Sequence, residues 1–186
     1  MKKLTCLCFC FWTFFAVYAQ GTKRPTREPS TTRYLKDLYQ YVKDKVRRNQ
    51  YYMNEYVINA QSLPWKDKTM KHQSFLFYYS YSGDKKPILR LAVCVQKQDK
   101  IEKRTEFMFD QDGNVSYCYE KQNDTNLAYR ELQIFYEKGL CINLMVDKEI
   151  LDIKDSAPYQ TQIDNYKEVG KTTYSKFFQD QLLAEK

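Results

Sequence analysis

Histidine occurs once in the 186 residues, at His72. A histidine metal cluster therefore has a single imidazole to draw on. Ser–His–Asp chemistry would have to use that residue too, and the chain has no Gly-x-Ser-x-Gly turn to present a nucleophile. His72 stands just before a run that alternates like a strand, and it reads as a surface residue. Blocks of like charge are missing as well. The formal net charge of +7 is scattered, whereas a nucleic-acid surface clusters its basic residues on one face. Lys43, Lys45, Arg47 and Arg48 come closest, but they share a helical pattern with Asp37 and Asp44 and read as a solvated face. No nucleic-acid partner is expected. Nor does a second long apolar run follow the first. That first run, Leu4 to Val17, falls short of the roughly 20 apolar residues of a spanning helix.

What is present at the N-terminus has a different logic. Lys2 and Lys3 precede the apolar run, and Val17-Tyr18-Ala19 follows as a small-residue cleavage site. Residues 1–19 read as a secretory signal removed before Gln20, leaving no stable membrane insertion and a secreted or periplasmic product. Residues 20–31 are polar, with Pro25 and Pro29, and read as a flexible leader. Residues 32–186 suffice for a single domain. Cys6, Cys8 and Cys10 leave with the signal, so an odd number of thiols remains: Cys94, Cys118 and Cys141.

Leu35, Leu38, Val42 and Val46 recur at helical spacing and predict a helix over about 32–50, with Ser30, Thr31 or Thr32 as its cap. Residues 51–60 fit either its continuation or a strand. From Gln73 the period becomes two. Six strands follow, around Phe75–Tyr81, Leu89–Val95, Thr105–Phe109, Val115–Tyr119, Arg130–Tyr136 and Ile142–Val146, with Gly83, Gly113 and Gly139 in the hairpin turns. Beyond them, Pro158, Tyr159, Ile163 and Tyr166 mark a helix, Gly170 a break, and Tyr174, Phe177, Phe178 and Leu182 a last helix. The fold class is α+β: an N-terminal helix, an antiparallel meander of about six strands, and a C-terminal helix or helices on one sheet face.

The hairpins repeat a pattern. Phe109 and Phe135 each stand four residues before a glycine, Gly113 and Gly139, and Phe77 to Gly83 opens in a similar way. With Thr105 to Glu120 and Arg130 to Gly139 as its best parts, the stretch 75–146 resembles a group of uncharacterised small exported bacterial proteins built on repeated aromatic-aromatic-Phe-Asp-x-Gly-x-Leu hairpins. Val115 and Cys141 replace the final Leu here. The resemblance implies export and a hairpin sheet, and it brings no catalytic residue.

Strand alternation sorts the sheet into two faces. The face to be covered by the helices carries Phe77, Leu91, Val93, Phe107, Phe109, Tyr117, Ile134, Ile142 and Leu144. The open face carries Tyr78, Arg90, Glu106, Met108, Glu120, Glu131, Gln133, Phe135 and Asn143. Aromatics mixed with charges are what a binding surface presents, so Tyr78, Arg90, Glu106, Glu120, Glu131 and Gln133 are the candidate ligand-binding residues. The partner is a protein or a glycan, the latter because seventeen tyrosines could stack on sugars. Two alternatives stand beside this non-catalytic reading. One is an inhibitor of a secreted hydrolase, acting through Lys97–Lys103 or Gln122–Asn126. The other is a hydrolase using Glu106, Glu120 and Glu131. No cofactor or metal is expected: Asp110-Gln111-Asp112-Gly113-Asn114 has its glycine in the wrong place for a calcium loop and reads as a turn. The three thiols fall on alternate strands, roughly 9–10 Å apart, too far for a disulfide.

Overall fold

The computed structural model describes residues 29–63, 72–81, 83, 86–98, 100–124, 126 and 129–184. The signal and most of the leader lie outside these residues. A helix α1 (Ser30–Arg47) comes first. Eight strands follow: β1 (Tyr52–Ile58), β2 (His72–Tyr81), β3 (Pro87–Gln98), β4 (Ile101–Phe109), β5 (Val115–Gln122), β6 (Glu131–Glu137), β7 (Leu140–Val146) and β8 (Glu149–Leu151). Two short 3-10 turns, Ile153–Asp155 and Ala157–Tyr159, lead into a long helix α2 (Gln160–Ala184). The strands pair in sequence order, all antiparallel, as one meander.

Two strands exceed the six expected. The ambiguous stretch after α1 is β1, because the helix ends in a hydrogen-bonded stop. Asn49 adopts a left-handed φ of 54°. Its N–H donates to Val46 O, and Gln50 N–H donates to Lys45 O. This is the 5→2 and 6→1 pattern that satisfies orphan carbonyls at a helix end. The expected cap at the other end is absent. Pro29 holds the cap position without a side-chain bond, while Thr32 is buried and accepts from Asn143 Nδ2 at 3.1 Å, anchoring the helix to β7.

The helices cover opposite faces of the sheet. Leu35, Tyr39 and Val42 of α1 pack on Leu91, Val93, Met108, Tyr117, Phe135 and Met145. Ile163, Tyr166 and Phe177 of α2 pack on Phe77, Ala92, Phe107, Ile134 and Leu144. The face expected to be open therefore carries α1, and four residues assigned to the other face, Leu91, Val93, Tyr117 and Ile142, lie on its side. Bulges account for the changed assignment. Pairing skips Arg90 in β3, Ser116 in β5 and Ile142 in β7. Each extra residue reverses which face the rest of its strand presents. Leu89 and Leu91 are both fully buried, against α2 and α1 respectively.

Gly170 does not break the last helix. It lies within α2 on the buried stripe of Ile163, Tyr166, Thr173 and Phe177. A Cβ there would overlap Val115 Cγ2 and press on Phe107. The missing side chain lets the helix backbone settle onto the sheet. Cys94, Cys118 and Cys141 are free thiols on β3, β5 and β7, and all three face α2 rather than the face expected to be open.

Candidate functional site

The six candidate residues do not form one surface. Glu106, Glu131 and Gln133 lie on the α1 face together with Tyr78. Glu120 points the opposite way, beneath α2, where Tyr129 OH donates to it at 3.2 Å and Lys103 Nζ stands at 3.0 Å. Arg90 is the bulge residue of β3, and its Nε donates to Ser80 Oγ at 3.3 Å. The three carboxylates of the hydrolase alternative are thus divided between two faces.

Glu106 is the most elaborately held. It is 1% exposed. Tyr39 OH donates to Oε2 at 2.7 Å, Lys43 Nζ lies 2.9 Å from both oxygens, and Arg104 Nε donates to Oε1 at 2.6 Å. Burial alone pushes its carboxyl up. Lys43 and then Arg104, through hydrogen bonds and charge, outweigh that and hold it below the usual carboxylate range. The same burial and the adjacent anion raise Tyr39, which stays a neutral donor. Tyr119 OH donates to Glu131 at 2.6 Å and Tyr117 OH to Gln133 at 3.0 Å. Internal partners occupy the polar groups here, so this cluster ties α1 to the sheet. Of the α1-face residues, Tyr78 stands nearest the uncovered margin, paired with Met53 of β1.

Exposed apolar side chains of the sheet gather along that margin. Among the described residues β1 pairs with β2 alone, so its outer backbone groups are left to solvent or a partner. Tyr52 is 60% exposed, Met53 51%, Tyr56 42% and Val57 38%. Sheet edges of natural proteins are usually short, or protected by proline, lysine or a bulge. The other edge, β8, has three residues. β1 has seven, without proline, lysine or a register shift, and Glu55 is its one charge. Beside it opens a cleft of about 360 Å3, lined by Met53, Asn54, Glu55 and Tyr56 of the edge and by Phe77, Phe177 and Asp180. The cleft has an aromatic wall and one carboxylate side chain, Asp180; alternation along β1 turns the Glu55 side chain to the α1 face with Leu76 and Tyr78. Lys176 stands over the Tyr56 ring at 3.6 Å.

Sequence reasoning passed over Met53, Glu55, Tyr56, Val57 and Asp180. The usable signal was Asn49, which can adopt the left-handed conformation that ends a helix, followed by a run rich in tyrosine and β-branched residues that favour strands. The thiols are poor nucleophiles. Burial pushes Cys94 and Cys141 up to about 11, and Cys118 well above its ordinary value. No helix among the described residues is long and apolar enough to cross a membrane. Comparison with protein-family models, with curated proteins and with solved structures finds no match.

Proposed function

We propose that this chain is an exported, non-catalytic binding protein that takes an extended segment of a protein partner as an added strand along β1. The observation that carries the reading is the contrast between its two edges: a three-residue β8 against a seven-residue, unprotected β1 with exposed tyrosine, methionine and valine. In strand addition, backbone hydrogen bonds supply affinity and pockets for alternate side chains supply specificity. The cleft beside β1 is such a pocket, and Asp180 favours a lysine or arginine in it. Export rests on residues 1–19 and on the resemblance of 75–146 to small exported proteins. The non-catalytic reading is supported by thiols held protonated and by Glu106 and Glu120 each engaged in ion pairs on opposite faces.

The test uses residues 20–186 and a displayed library of extended peptides. Selected peptides should alternate apolar with basic residues. A variant carrying Met53→Lys and Val57→Lys should bind them at least about tenfold more weakly. Both side chains are exposed, so each change should leave stability within about 0.5 kcal/mol. Peptides that bind the double variant equally well would overturn the edge reading. Protection of the Lys97–Lys103 segment instead would favour the inhibitor alternative.

A further inference from the structure

A second cleft, of about 310 Å3, lies between α2 and strands β2 to β4. Two adjacent rungs of the sheet form its floor. Register places Gln73, Gln96 and Lys103 side by side on one rung, and Phe75, Cys94 and Thr105 on the next. Asn165, Tyr166 and Thr173 of α2 form the roof. Elsewhere this face meets α2 through Phe77, Ala92, Ile134 and Leu144. Here polar side chains take those places and the layers stand apart.

The polar groups are a particular set. Among the described residues, the side-chain amides of Gln73, Gln96 and Asn165 have no hydrogen-bond partner within the protein. Lys103 is the one charged residue lining the cleft. Its Nζ donates to Tyr166 OH at 2.6 Å and stands 3.0 Å from Oε2 of Glu120, which is 1% exposed. The buried carboxylate thus balances the lysine charge, and one N–H of the ammonium remains to give. Tyr166, accepting from Lys103, keeps its own O–H to donate. Phe75 and Tyr166 supply ring surface. Amides that both donate and accept, a hydroxyl, aromatic faces and a neutralised charge suit a small uncharged ring bearing several hydroxyls. The volume sits at the low end of the roughly 300–1,000 Å3 of ligand pockets.

We infer that this cleft binds one uncharged polyhydroxyl ring, a monosaccharide either free or at the end of a glycan. The site shares no residue with the β1 edge or its cleft, so either reading can fail alone. The test titrates residues 20–186 with glucose, galactose, mannose, N-acetylglucosamine and, as an anionic control, glucuronate. The readout is the side-chain amide NMR signals of Gln73, Gln96 and Asn165. At least one neutral sugar should shift them saturably, with a dissociation constant of about 1 mM or tighter, and glucuronate should bind at least about tenfold more weakly. Gln73→Ala and Gln96→Ala, each with unchanged circular dichroism and melting temperature, should weaken the neutral sugar about tenfold, as loss of one hydrogen bond does. A glycan array then separates the sources: binding to arrayed termini with weaker binding of the free sugar identifies a glycan end, and equal binding identifies the free sugar. No shift by any of the four neutral sugars overturns the inference, as does a shift that survives both substitutions or a preference for glucuronate.

Discussion

Glu106 is where composition and position conflict most sharply at the scale of single residues. A carboxylate 1% exposed beneath a helix is costly unless it is paired, and here Lys43, Arg104 and Tyr39 all converge on it. The consequence is a defined pH dependence. Because the folded-state pKa is lowered, the stabilisation is fully present above the unfolded-chain value near about 4.3 and is lost as pH falls through the folded value. Glu106→Gln should cost about 1.5–3 kcal/mol at pH 7, the range for hydrogen bonds to a charged group, with the lower half favoured because Lys43 and Arg104 are partly exposed. The variant should also show a flatter fall in stability between pH 7 and pH 3 than the natural chain. Urea unfolding at several pH values checks this. Parallel profiles would mean that Glu106 contributes no linkage. The sequence places this glutamate among strand residues, but its partners Tyr39 and Lys43 stand 67 and 63 positions away. No local pattern announces that pairing.

For the elements, legibility followed periodicity and stopped at irregularity. The helical stripe of α1, the six central strands and the hairpin glycines were readable, since each is a local pattern several residues long. Gly113 and Gly139 indeed take φ of 83° and 76° in their turns. The α1 boundary was missed because Asn49, not glycine, supplies the left-handed stop. The faces were misassigned because alternation reverses after each bulge at Arg90, Ser116 and Ile142, and because both faces are apolar under two helices. Gly170 reads as a break on propensity alone, at about 1 kcal/mol relative to alanine, yet tertiary packing requires it inside α2. The two explanations predict opposite signs. If Gly170 only weakened the helix, Gly170→Ala would stabilise the protein. The contact with Val115 and Phe107 predicts instead a loss of about 1–3 kcal/mol, the usual cost of overpacking, read from the urea midpoint.

As a whole molecule, the chain is a meander that encloses its own centre and, among the described residues, leaves the β1 margin uncovered. Helices on both faces bury β3 to β7, so accessible apolar side chains of the sheet concentrate along β1. The middle of the face expected to be open is closed by α1, which is why the proposed site is at the edge, and Tyr78 is the expected residue that borders that margin, through Met53. The proposed place of work outside the cytoplasm has its own check, since intact mass of exported material should begin at or within a few residues of Gln20, and retention of residues 1–10 would contradict it. The edge reading is the central claim, and amide hydrogen exchange tests it most directly. With a selected peptide bound to residues 20–186, the amides of Tyr52–Ile58 should slow markedly while those of β8 and of the Lys97–Lys103 segment stay unchanged. Unaltered exchange across Tyr52–Ile58 in a saturated complex would contradict strand addition at β1.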